Sequence, residues 1–230
     1  MFDSKVDFKL LEYAVDAYEK QPIEKGKILF YGHSLFTRWN SGEWGNHRPL
    51  EDDIRMKDGS LACVNHGFGT STSEELLYYY PRLVRPWDPR ALVIATFAND
   101  AMYGCSVEDT MTNVSKICHW ARTDFPGIKI FLVEDTVKLK DKAYDERELW
   151  NKEKHRRDKY NEMISFYAQT HDDTELIRFW DEPGFFETPE DVGNYKKIRE
   201  DIFADDKVHF NQAGYDIVGR VFREALKDLL

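Results

Sequence analysis

No apolar stretch in this 230-residue chain approaches the length of a membrane span, which argues against a membrane-embedded protein. Met1 to Val6 lack a basic segment followed by an apolar run, so no secretory leader is expected. Cysteine is scarce. Cys63, Cys105 and Cys118 are odd in number and lack metal-ligand spacing; they read as small buried residues in a reducing compartment, and the cytoplasm is the expected location. Positive charge is also in short supply, with 32 Lys and Arg against 42 Asp and Glu. The resulting net charge of -10, spread along the chain, argues against nucleic-acid or anionic-membrane partners. Lys154-His155-Arg156-Arg157 is basic, but Glu148, Glu153 and Asp158 interleave with it, as on a solvated helix face. His47, His119, His155 and His171 show no ligand spacing, so no metal or cofactor is expected. A phosphate-binding glycine loop and the Gly-x-Ser-x-Gly nucleophile motif are both absent.

What the chain does contain is a globular composition, 42% hydrophobic and 14% aromatic, of a size that suits one α/β domain over residues 1–230. An amphipathic helix is expected over about 7–20, within an N-terminal segment (1–26) that packs on the domain. Strands are expected at about 27–31, 61–64, 91–96, 128–133 and 175–180. Helices are expected from about 73, over about 107–123 and 145–170, and after Gly214. Strands alternating with helices call for a parallel sheet covered on both faces.

Polar residues gather where such a sheet collects ligands. Ser34, the turn Gly67 to Ser71, and Asn99 each follow a strand's C-terminal end, and in a parallel sheet those ends share one edge. A serine hydroxyl is a weak nucleophile unless a base takes its proton, and a carboxylate-held histidine is the usual base. Asp206-Lys207-Val208-His209 places an Asp three residues before a His, close enough to orient the imidazole from one short loop. Asp205 could orient it instead, since it precedes His209 on the same loop.

Four blocks then resemble the GDSL-type (SGNH) esterases and lipases. They are Gly32-His33-Ser34-Leu35, Asn65-His66-Gly67-Phe68-Gly69-Thr70, Phe97-Ala98-Asn99-Asp100 and Asp206-Lys207-Val208-His209, in the family's order from about residue 27 to 220. The resemblance implies a flavodoxin-like three-layer α/β/α sandwich with about five parallel strands. It implies Ser34 as nucleophile with Asp206 and His209 completing the triad, and Asp206 is preferred to Asp205 because its spacing matches. It also implies an oxyanion hole from the Ser34 N–H, the Gly69–Thr70 turn and the Asn99 amide.

Three residues depart from the family pattern. His33 stands where the family has Asp; neighbours on an extended chain point apart, so His33 is expected to hold its loop rather than act as base. Thr70 stands where many members have the oxyanion glycine, and Phe97 replaces the glycine of Gly-x-Asn-Asp. His33 and Phe97 are therefore candidates for the substrate pocket. His66 is either a pocket residue beside the second-block turn or an ordinary loop histidine. Trp39, Trp44 and Trp87 are either a sugar-stacking wall or core packing.

The expected activity is hydrolysis of a small-molecule carboxylic ester. With no lid-length apolar insertion, a short acyl group is expected, such as acetyl on a carbohydrate or small metabolite. A non-catalytic domain that binds acylated sugars or a protein partner is the main rival, motivated by His33, Thr70 and Phe97. A flavin or nucleotide binder of the same fold is a third.

Overall fold

A computed structural model describes residues 6–42, 47–139 and 148–230, with side chains in 148–154 excepted. Trp44 lies outside the described residues.

Five parallel strands form the sheet: β1 (Ile28–Gly32), β2 (Cys63–Gly67), β3 (Ala91–Ala95), β4 (Lys129–Val133) and β5 (Thr174–Ile177). Their order across the sheet is β2-β1-β3-β4-β5, the doubly wound arrangement in which ligands bind beyond the strands' carboxyl ends. Eight α-helices accompany them among the described residues: α1 (Glu12–Glu19), α2 (Ser34–Thr37), α3 (Leu50–Asp53), α4 (Ser73–Leu83), α5 (Ala98–Met102), α6 (Val107–Asp124), α7 (Glu148–Gln169) and α8 (Gln212–Ala225).

Every residue of β1, β2 and β3 is buried, as continuous apolar strands between two helical layers must be. Alternate side chains feed opposite cores. Ile28 and Phe30 join Phe36, Trp39, Val218 and Phe222 on the α8 face. Leu29 and Tyr31 join Leu76, Tyr80, Val114 and Ile117 on the α4–α6 face. On that second face α1 packs through Val15, with Leu11 just before it, while Arg82 of α4 reaches Glu12, Asp16 and Glu19. No helix among the described residues is long and apolar enough to cross a membrane.

The second strand begins and ends later than expected, and this shift has consequences. Asn65, His66 and Gly67 lie inside β2 rather than in the turn after it. His66 pairs with Tyr31 in register and so faces the α4–α6 core. It is fully buried between Tyr18 and Trp87, with Nδ1 2.8 Å from the Leu83 carbonyl. His66 is therefore not a pocket residue. Gly67 is required at its position, because a Cβ there would collide with the Thr37 amide and the Phe36 backbone of α2. That close approach seats the helix carrying Ser34 against the sheet.

The tryptophans belong to the core. Trp39 is wholly buried against Phe30, Tyr215 and Phe222, and its indole donates to Asp53 Oδ2 at 2.8 Å. Trp87 packs edge-on against His66. Neither lines the cleft, so the sugar-stacking wall is withdrawn for both. Thr72 caps α4 and forms a reciprocal capping box with Glu75.

Candidate active site

The carboxyl ends of β1 to β4 open into a cleft of about 520 Å³, within the range of small-molecule sites. Ser34 enters it from the first residue of α2, one step past the last residue of the β1–α2 connection, His33. Gly32 makes this tight exit possible, since a Cβ there would strike the Ala95 carbonyl on β3.

His209 reaches the cleft from the loop before α8. Its Nε2 lies 2.9 Å from Ser34 Oγ, and its Nδ1 lies 2.7 Å from Asp206 Oδ2. These three groups are 175 residues apart in sequence at their ends, yet they form one hydrogen-bonded chain. The other carboxylate oxygen of Asp206 accepts the backbone N–H groups of Val208 and His209, both at 2.9 Å. Asp206 thus holds the imidazole twice, through ring and backbone, and Asp205 is not its partner. The loop is closed by Ala204 N–H donating to the His209 carbonyl at 2.8 Å. Asn211 caps α8 through the Gly214 N–H at 3.1 Å, and the Tyr215 hydroxyl donates to the Leu35 carbonyl at 3.0 Å. That last bond ties α8 to the serine helix.

Electrostatics favour an imidazole ready to accept a proton. Partial burial lowers the His209 pKa below 6.5, Asp206 acts against that, and the cations of Arg38 and Lys138 add to the lowering. Burial pushes the Asp206 carboxyl up, but the backbone N–H and ring of His209 and the Val208 N–H outweigh it and hold it at about 2. Asp206 is therefore ionised and His209 neutral at pH 7. Burial likewise drives His33 down to about 4. Its Nδ1 accepts the Leu35 N–H at 3.2 Å, which fixes the proton on Nε2. The ring lines the cleft while capping the serine turn, and the Ser34 hydroxyl pairs with His209 instead.

Gly69, Thr70, Phe97 and Asn99 line the same cleft as His209. One N–H of the Asn99 amide donates to the Ser71 carbonyl at 2.9 Å, leaving the second for a ligand. Thr70 and Phe97 both adopt left-handed backbone, with φ of 64° and 89°. Glycine would hold either conformation at no steric cost, and an L-residue there is strained. Asp100, wholly buried, supports this strained region. It accepts from the Ser73 N–H, the Thr96 and Thr110 hydroxyls at 3.0 and 3.2 Å, and the Phe97 N–H at 3.2 Å. Phe97 itself stacks on Tyr160 with ring centroids 4.4 Å apart.

Sequence reasoning missed several cleft residues: Tyr13 and Met102 at the mouth, Arg38 beside Asp206, and Asp135 and Lys138 at the β4 end. Two had a usable signal. Arg38 lies one helical turn after Ser34, and Asp135 follows the carboxyl end of β4, on the edge where the other site loops converge.

The chain belongs to the GDSL-like Lipase/Acylhydrolase family, whose model matches residues 30–217; this is a family of ester hydrolases. Solved structures similar in fold include a GDSL-like lipase from Bacteroides thetaiotaomicron, 19% identical, with a TM-score of 0.70 over 99% of this chain and 100% of that one. A lipase/acylhydrolase from Enterococcus faecalis is 18% identical, with a TM-score of 0.64 over 88% and 96% of the two chains. A variant of a Geobacillus acetyl-xylooligosaccharide esterase is 16% identical, with a TM-score of 0.64 over 91% and 96%. At these identities the likeness concerns the fold. A comparison with curated proteins found no match.

Proposed function

We propose that this protein is a serine carboxylic-ester hydrolase that removes a short acyl group, such as acetyl, from a carbohydrate or small metabolite. The observation that carries the reading is the continuous chain Ser34 Oγ, His209 Nε2, His209 Nδ1, Asp206 Oδ2, with separations of 2.9 and 2.7 Å. In this reading neutral His209 takes the Ser34 proton as Oγ attacks the ester carbonyl. The tetrahedral oxyanion is met by the Ser34 N–H, the N–H groups of the Gly69–Thr70 turn and the remaining N–H of Asn99; each fixed donor is worth roughly 3 kcal/mol in such sites. His209 then gives its proton to the leaving alcohol, leaving Ser34 acylated. Water, deprotonated by His209, attacks the acyl-enzyme, and collapse returns the proton to Ser34 and releases the acid.

A short acyl group is supported by the modest cleft and by an acetyl-ester hydrolase among the proteins of the same fold. Hydrolysis of p-nitrophenyl esters from acetate to decanoate, by wild type and Ser34→Ala, tests both parts. Turnover that falls with chain length and vanishes in folded Ser34→Ala is expected. No turnover of any ester by the wild type would favour a non-catalytic acyl-binding domain.

A further inference from the structure

The chain carries a net charge of -10, yet the ionised side chains lining the cleft are Arg38, Lys138 and Arg157 against Asp135 and Asp206. With His33 and His209 neutral, the cleft is positive on an acidic molecule, an inversion that concentrates anions at the site. The carboxylates are also committed elsewhere. Asp206 has both oxygens on His209 and the Val208 N–H, and Asp135, whose side chain is 3% exposed, holds the Lys138 ammonium at 2.8 and 3.0 Å. Arg38 is different. Its guanidinium is about one-third exposed and lies 3.7 Å from Asp206 Oδ2, too far for a hydrogen bond. Among the described residues its side chain makes no hydrogen bond, so its forked donors face the cleft unspent.

The position of this cation says which part of a substrate it meets. The leaving alcohol must depart beside His209 Nε2, because that atom returns the proton to it. Arg38 stands behind that imidazole, against the carboxylate oxygen that holds it, and Lys138 lines the same cleft from the β4 end. Apart from Ser34, the oxyanion donors of the ester-hydrolase reading come from other loops, those that follow β2 and β3.

We infer that the alcohol portion of the substrate carries an anionic group, a carboxylate or a phosphate, which Arg38 receives with support from Lys138. This rests on the ester-hydrolase reading and narrows its substrate class: a short acyl group on an acidic alcohol or acidic sugar.

The test compares kcat/KM for para-acetoxybenzoate and para-acetoxybenzamide, which place an anionic or a neutral group on the same aryl alcohol, in wild type and Arg38→Gln. Dividing one ratio by the other cancels the intrinsic reactivity of the two esters. The anionic-to-neutral ratio is expected to be about tenfold higher in wild type, as for a hydrogen bond to a charged group, and Arg38→Lys should recover part of it. The preference should also shrink as ionic strength rises from about 0.02 to 0.5 M. Should Arg38→Gln fail to fold, Lys138→Gln reads the same ratio. para-Acetoxyphenyl phosphate in place of the benzoate then separates a phosphate from a carboxylate site. Equal ratios in wild type and variants, with both esters hydrolysed, would overturn the anion site and leave the esterase standing. A wild type that hydrolyses neither ester, and is not labelled by a serine-reactive phosphonate, would overturn both.

Discussion

On one side of the cleft, His209 is held by a short loop whose parts satisfy one another: Asp206 accepts from the imidazole and from two backbone N–H groups, and the loop's left-handed residue, Lys207, is exposed. On the other side, Thr70 and Phe97 are L-residues in left-handed backbone, and buried Asp100 gathers the N–H groups and hydroxyls around them. Each left-handed L-residue costs roughly 1–2 kcal/mol relative to its relaxed form. The proton-transfer side is thus set by side-chain chemistry within one loop. The Thr70–Phe97 side is set by backbone shape across two loops, held in left-handed conformations that favour glycine. Strain of this kind survives only where the surroundings over-determine it, and it concentrates at functional sites.

Four experiments press on this contrast, the largest effect first. Ser34→Ala should lower kcat by at least about 10⁴-fold without loss of folded structure, because it removes the hydroxyl that His209 Nε2 meets at 2.9 Å; steady-state kinetics and circular dichroism check it. Asn99→Ala should lower kcat by about 10²–10³-fold with little change in KM, since the donor acts only once charge develops on the carbonyl oxygen. A loss in KM alone would mean that Asn99 binds substrate and does not stabilise the oxyanion.

Two buried neutral histidines lie near this region, His33 beside Ser34 and His66 within β2. Burial holds both at about 4, whereas the unfolded chain titrates near 6.5. Between those values the unfolded state binds more protons than the folded one, so stability must fall as pH drops through this window. By pH 5 the loss should be roughly 2 kcal/mol per histidine, read from denaturant midpoints at pH 7 and pH 5. The kinetic acid limb belongs to His209, and its midpoint should lie below 6.5.

Glycine substitutions give the smallest effects and opposite signs. Thr70→Gly removes strain at an exposed position and should stabilise by about 0.5–1 kcal/mol after the added freedom of glycine in the unfolded chain is counted. Phe97→Gly removes the same kind of strain but also a buried ring stacked on Tyr160, worth about 3–5 kcal/mol. It should destabilise by about 2 kcal/mol net. Thermal melts separate the two, and stabilisation by both would mean that Phe97 contributes little packing.

How much of this was legible in the sequence follows the same division. The five strands, their parallel sense and the long helices could be read because apolar runs and helical spacing are local signals. So could the side chains that meet in the cleft: Ser34, Asn99, Asp206 and His209 stand in recognisable blocks. Strand boundaries were less legible. Asn65-His66-Gly67 reads as a turn by composition, and only the pairing of Gly67 with Gly32 extends the strand through it. That shift alone turns His66 from a pocket residue into a core one. The tryptophans misled because aromatics near loops pack under them as readily as they line a pocket. Arg38 and Lys138 carried no motif; their meaning comes from lying near His209 in space.

The central claim is that Ser34 is the nucleophile, and covalent capture tests it most directly. Wild type treated with diethyl p-nitrophenyl phosphate should gain one diethylphosphoryl group per chain, released with one equivalent of nitrophenolate and located on Ser34 by peptide mass spectrometry. Ser34→Ala should gain none. A wild-type protein that stays unmodified, or that is modified at another residue with Ser34 free, would contradict the account.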